Sequence, residues 1–175
     1  MTDILAWAHD AADIPERGLD VERRASAAEL AAIAAELDLV SCDRLVARYR
    51  IKPVPGGGYR VGGDIAAQLA QRCIVTLEPV AAEVAAPLEV EYWPEGRRDE
   101  ADDEGEIAAL TAAEIEPLSN GRLDVGRIVF EQLAASLDPY PRKAGAEFEP
   151  PPEAPPGAEP GGPFAALGRL KTKKD

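Results

Sequence analysis

A long stretch of alternating apolar and polar residues constrains the fold of this chain most. Over residues 42–54 apolar side chains recur at every second position, and the run Pro55-Gly56-Gly57-Gly58 then ends the pattern. Period-two alternation is typical of a strand with one buried face, and a glycine-rich break between two such runs is typical of a hairpin turn. We therefore predict that a strand at 42–54 pairs antiparallel with a return strand at 59–70.

Other segments complete the predicted sheet. Further strands are expected at 4–9, 19–24, 71–78, 81–93 and 115–118, with turns at 13–18 and at Asn120-Gly121. The pair Gly62-Gly63 inside the return strand favours a bulge or a sharp bend, which would curve the sheet toward a barrel. Successive strands at short spacing predict an antiparallel meander.

Two amphipathic helices are predicted beside these strands. Ser26 and Glu29 have the spacing of a capping box, and an apolar stripe follows them, which predicts a helix over 27–37. A second stripe predicts a helix over 124–136, which Pro139 stops. Because strands and helices are segregated, the expected fold is α+β: a curved antiparallel sheet of five or six strands, partly barrel-like, with two packed helices.

The charge of the chain indicates what kind of partner it has. The 175 residues carry a formal net charge of −13. Affinity for nucleic acid depends largely on Lys and Arg, so this balance argues against a dedicated RNA binder and favours basic protein partners. A stripe formed by Arg44, Arg48 and Arg50 is expected to be a solvated face offset by nearby acids, with local RNA contact as the alternative.

The residues that usually carry chemistry are scarce. Cys42, Cys73 and His9 are the only cysteines and the only histidine, and there is no C-x-x-C pair, so no zinc site is expected. Neither a nucleophile elbow nor a phosphate-binding loop is present. We therefore expect no enzymatic activity, no catalytic residue, no metal and no cofactor. The start of the chain does not resemble a signal peptide, and no apolar run is long enough to cross a membrane, so we expect a cytoplasmic protein with reduced thiols.

The segment Gln71-Arg72-Cys73-Ile74-Val75-Thr76-Leu77-Glu78-Pro79-Val80 is the most informative motif. Its β-branched centre predicts a buried strand that Pro79 closes. Two interpretations of Cys73 remain open at this point. It is either a small buried core residue or a reactive thiolate whose pKa is lowered by Arg72.

Three motifs of the chain resemble a known family. The first consists of Gln71, Cys73, Thr76, Leu77, Glu78 and Pro79; the second is Leu137-Asp138-Pro139-Tyr140-Pro141-Arg142-Lys143; the third is Pro163-Phe164-Ala165-Ala166-Leu167 with Lys171. In order and spacing they resemble the α-proteobacterial branch of the YceD-type large ribosomal RNA subunit accumulation proteins, a bacterial domain family of unknown function.

This resemblance implies a non-enzymatic accessory factor in ribosome biogenesis that supports accumulation of large-subunit (23S) ribosomal RNA. The partner is expected to be a basic ribosomal or assembly protein, with direct RNA contact not favoured by the charge. Candidate partner-contact residues are Asp138, Pro139, Tyr140, Pro141, Arg142, Lys143, Phe164 and Leu167. The alternative is a small-molecule carrier or an uncharacterised enzyme that uses the curved sheet as a ligand cup.

The predicted organisation is one YceD-like domain at 1–143 with a mobile acidic loop at 95–106. Residues 144–175 are expected to form a disordered Pro- and Gly-rich tail, because they offer little apolar surface to bury. Within it, residues 163–174 combine an apolar ridge with Lys and Arg. We predict that this segment orders on a partner and is dispensable for folding.

Overall fold

A computed structural model of the chain describes residues 4–94 and 114–148. The fold is α+β, as predicted. In chain order its elements are β1 (Ala8–Asp10), a 3-10 turn (Ala11–Asp13), β2 (Leu19–Arg24), α1 (Ala27–Glu36), β3 (Ser41–Val54), β4 (Gly58–Arg72), β5 (Pro79–Trp93), β6 (Glu114–Pro117), β7 (Arg122–Asp124) and α2 (Val125–Ala135).

Five of the strands form one sheet in the order β2-β3-β4-β5-β6. The hairpin of β3 and β4 is antiparallel as predicted, and β2 and β5 pair antiparallel on either side of it. The meander prediction is wrong for β6, which runs parallel to β5. A parallel pair needs a crossover of a dozen or more residues, and the stretch 94–113 is long enough to provide one. Among the described strands the sheet is open and does not close into a barrel.

The bulge predicted at Gly62-Gly63 is absent. The register of β3 and β4 runs without interruption past this pair, and the one irregularity lies between Cys42 and Arg44. Gly63 serves a different purpose, because a Cβ atom at this position would lie 2.6 Å from Tyr49 Cα and would also overlap the carbonyl oxygen of Arg48. The glycine therefore allows β3 and β4 to approach closely.

A second, two-stranded sheet joins the two ends of the fold. The strand predicted at 4–9 is shorter and shifted: β1 pairs with β7, which the sequence did not predict. Asn120 and Gly121, the predicted turn before β7, both have positive φ. Leu5 and Trp7, whose pattern favoured a longer strand, are buried in the core instead.

One core holds the sheet and both helices together. Inward-facing residues of β3, β4 and β5 alternate along each strand and pack in one cluster with Ile33 of α1 and Leu133 of α2. Burial of each large aliphatic side chain stabilises the fold by about 1.5–3 kcal/mol. The predicted capping box is present, with Glu29 N–H donating to Ser26 Oγ and Ser26 N–H donating to Glu29 Oε2. Neither of the two helices in the described ranges has the length and apolar character needed to span a membrane.

Candidate partner-binding site

The first and second sequence motifs meet at one end of the sheet. Gln71 Nε2 donates to the carbonyl of Asp138 at 2.8 Å, and the Ile74 N–H donates to the carbonyl of Pro141 at 2.9 Å. Lys143 Nζ forms an ion pair with Glu78 at 2.9 Å. We call residues 73–78 and 138–143 together the motif junction. Spacing along the sequence gave no signal that these two segments, more than sixty residues apart, lie side by side.

Residues 73–78 form the turn between β4 and β5, so the strand predicted at 71–78 is wrong. The Leu77 N–H donates to the Cys73 carbonyl, and the Cys73 N–H donates to the Glu78 carbonyl, which closes the turn. Leu77 has a φ of 61°, in the left-handed region that a strand does not use. Pro79 begins β5 and does not close a strand. The β-branched residues favoured a strand, but the contacts with 138–143 override that local preference.

Cys73 connects the two halves of the junction. Its side chain is fully buried, and Sγ accepts the N–H groups of Val75, Thr76 and Lys143, each at 3.4 Å. Hydrogen bonds from the Lys143 N–H, then from the Thr76 hydroxyl and N–H, lower the pKa of this thiol to about 6 against the opposing effect of burial. Arg72 does not contribute to this lowered pKa. Hydrogen-bond donors, and not the neighbouring cation that the sequence suggested, lower the pKa of Cys73.

Cys42 shows what burial does where the Arg44 N–H is the one hydrogen-bond donor that lowers the pKa of the thiol. It also lies in the core, where burial and the neighbouring Asp43 raise the pKa of its thiol. The contrast indicates that the hydrogen-bond donors of the junction favour the thiolate form of Cys73, against the opposing effect of burial. In the described part of the chain no group of His, Cys, Asp and Glu side chains is arranged to bind a metal ion.

The segment 138–143 exposes the residues that usually anchor partners. The Tyr140 N–H donates to Asp138 Oδ1 at 2.8 Å, which holds the turn that follows α2. Pro141 is buried, whereas Arg142 is exposed and Tyr140 is 70% exposed. On the other half of the junction, Leu77 is 66% exposed. The predicted contact residues Phe164 and Leu167, like the acidic loop at 95–106 and the segment 163–174, lie outside the described residues.

Two arginines of the predicted stripe, Arg48 and Arg50, match the solvated interpretation. Arg48 Nε lies 2.9 Å from Glu22 Oε2, and Arg50 Nη1 lies 2.6 Å from Asp20 Oδ2. Both arginines are therefore neutralised by acids of the neighbouring strand β2. His9, in β1, has a structural role: its Nε2 lies 2.8 Å from the Tyr49 hydroxyl, and burial lowers its pKa.

A surface hollow of about 540 Å³ lies between β6, β7 and α2. Both arginines of its lining, Arg122 and Arg127, form ion pairs within the protein. Arg127 pairs with Glu116 and Glu131, and the Tyr92 hydroxyl donates to the carbonyl of Asp124 at 2.8 Å. These groups are already engaged with partners within the protein.

Comparison of the chain with protein-family models, with curated proteins and with solved structures gives no match.

Proposed function

We propose that this chain is a non-enzymatic accessory factor in ribosome biogenesis that supports accumulation of large-subunit (23S) ribosomal RNA through a basic protein partner. The observation that carries the proposal is the motif junction. Two segments that were singled out by sequence resemblance alone are hydrogen-bonded to each other, and Tyr140 and Leu77 stand exposed on them. Buried motif residues would suffice for a purely structural role, whereas exposed ones support contact with another molecule.

Charge and side-chain chemistry describe the partner. The net charge of −13 attracts basic proteins and repels phosphate backbones. Tyr140 and Arg142 are residue types that dominate binding energy at protein interfaces. The sequence at 163–174 would add a second contact, because a tethered segment raises the effective concentration at the first site.

The alternative, a carrier or enzyme that uses the sheet as a ligand cup, lacks support in the described residues. The inner sheet face is filled by its own side chains, which pack with Ile33 and Leu133 in a single core. Thiol labelling at neutral pH tests whether Cys73 has the reactivity that an enzyme would require. We expect Cys73 of the folded protein to react slowly with iodoacetamide because its side chain is buried, and rapid labelling would favour chemistry at this thiol.

Sedimentation and RNA quantification test the proposal. A tagged chain should co-sediment with large-subunit particles, and its deletion should lower the amount of 23S ribosomal RNA. Tyr140→Ala should weaken co-sedimentation, whereas Phe148→Ala should not, although Phe148 is equally exposed at 74% and lies outside the motifs. A chain found only at the top of the gradient, together with normal ribosomal RNA after deletion, would refute the proposal.

A further inference from the structure

Among the strands that the structure describes, none pairs with the outer edge of β5 over most of its length. β5 pairs with β4 along one side from Pro79 to Tyr92, but on the other side only Val90–Trp93 meet β6. Within residues 4–94 and 114–148, no strand covers the outer edge of β5 from 79 to 89. An open strand edge presents unpaired N–H and C=O groups to which another chain can hydrogen-bond.

The direction of these groups follows from two hydrogen bonds. The Leu118 N–H donates to the Trp93 carbonyl at 2.8 Å, so the main chain of Trp93 faces β6. The Cys73 N–H donates to the Glu78 carbonyl at 2.9 Å, so residue 78 faces β4. Successive residues of a strand direct their main-chain groups to opposite sides. The odd-numbered residues of β5 therefore face the open edge, and the even-numbered residues bond to β4.

Prolines delimit the usable part of this edge. Pro79 and Pro87 are odd-numbered and have no N–H to offer. Between them, Ala81, Glu83 and Ala85 are exposed, and each presents one N–H and one C=O to the open side. A window of this length admits one short strand, while the flanking prolines and glutamates discourage longer sheet-to-sheet association.

Side chains around the window define the occupant. Glu83 and Glu89 project from the exposed face of β5, while Val80 and Val84 remain half-buried on the core face. A complementary strand would place basic residues beside the glutamates and small aliphatic residues beside the valines. A second copy of the chain fits poorly, since antiparallel pairing centred on the window sets Glu83 opposite its own copy and brings two charges of −13 together.

We propose that the outer edge of β5 binds an extended segment of a basic protein by strand addition, in which main-chain hydrogen bonds supply affinity and alternating basic and aliphatic side chains supply selectivity. This edge is distinct from the exposed side chains of the motif junction. Only the identification of the partner as a ribosomal or assembly protein rests on the proposed function.

Synthetic peptides test the binding mode without a natural partner. The probe is a labelled peptide of alternating lysine and valine, about ten residues long to span the window. Fluorescence anisotropy should show that the full-length chain binds it at least about tenfold more tightly than a glutamate–valine peptide. Ala81→Pro/Ala85→Pro removes two donors and should weaken binding by about tenfold. The variant should still fold, because Pro79 and Pro87 already occupy the same side of β5. Ala82→Pro, which faces β4, should instead lower the melting temperature.

Amide hydrogen exchange gives an independent readout. In the free protein the N–H groups of Ala81, Glu83 and Ala85 should exchange rapidly, while those of Ala82 and Val84 are protected. Binding of the lysine–valine peptide should slow the exchange of the Ala81, Glu83 and Ala85 N–H groups. The proposal would be overturned if these three N–H groups exchanged slowly in the free protein. It would also be overturned if Ala81→Pro/Ala85→Pro bound the lysine–valine peptide as tightly as the unmodified chain does. A dimer with protection at this edge would assign it to a second copy. None of these failures bears on the proposed function, because the Tyr140→Ala sedimentation test does not involve β5.

Discussion

The two adjacent glycines of β4 provide the sharpest test of the fold. We expect Gly63→Ala to destabilise the protein, because the new Cβ atom would lie 2.6 Å from Tyr49 Cα and 2.8 Å from Tyr49 Cβ. Nonbonded carbon atoms prefer about 3.5–4.0 Å, so β3 and β4 must separate locally by roughly 1 Å. Gly62→Ala is a matched control, because a Cβ atom at that position meets no atom within 4 Å.

Opposing contributions set the expected size of the effect. Overpacking of this kind costs about 1–3 kcal/mol, and a strained ladder hydrogen bond adds about 1 kcal/mol. Replacing glycine by alanine recovers roughly 0.5–1 kcal/mol of chain entropy. The free energy of unfolding of Gly63→Ala should therefore fall by about 2–3 kcal/mol, whereas that of Gly62→Ala should rise by about 0.5 kcal/mol.

Thermal and urea denaturation followed by circular dichroism measure this difference. For a chain of this size about 3 kcal/mol corresponds to melting temperatures that differ by roughly 6–12 °C. Equal m-values would show that the change lies in stability rather than in the extent of unfolding. If the two variants melt within experimental error of each other, the close approach of β3 and β4 at Gly63 is refuted.

Three further outcomes are expected. Ser26→Ala should lower the free energy of unfolding by about 1 kcal/mol because the Glu29 N–H loses its acceptor. Ser26→Thr keeps a hydroxyl acceptor and should retain most of the wild-type stability. Ultraviolet titration of the folded protein should show a thiolate step near pH 6 that is lost in Cys73→Ser and kept in Cys42→Ser. Because the pKa of Cys73 is lower in the folded than in the unfolded protein, the free energy of unfolding should fall as the pH drops toward about 6. A titration step only near pH 9 would contradict the hydrogen-bond donors assigned to Cys73. Truncation after Lys143 should leave the melting temperature unchanged and weaken partner binding; a clear fall would show that the removed residues pack on the folded domain.

Periodicity and capping predicted the parts of the fold that depend on local sequence. The strands at 42–54, 59–70 and 81–93 and the helix capped by Ser26 are confirmed with small shifts of their ends. These segments are long and repeat one pattern, so local preference and burial agree. The same reasoning failed for 71–78, where β-branched residues lie in a turn held by distant contacts, and for Gly63, where the glycine relieves a contact with Tyr49.

The candidate site was predicted in part. Sequence resemblance selected both motifs, but only the structure places Lys143 on Cys73 and exposes Tyr140 beside them. The pairing of β1 with β7 and the parallel direction of β6 likewise depend on contacts between segments far apart in the chain. No local pattern encodes such contacts.

The pairing of β1 with β7 has a kinetic consequence. Ala8 is paired with Asp124, 116 positions later in the chain. At a synthesis rate of about 5–20 residues per second, β7 is synthesised roughly 6–23 s after β1. During this time Leu5 and Trp7, which are buried in the finished fold, have no complete core to enter. Residues 5–10 therefore leave the ribosome well before the strand that secures them, and during this interval their apolar side chains are open to chaperones and to aggregation.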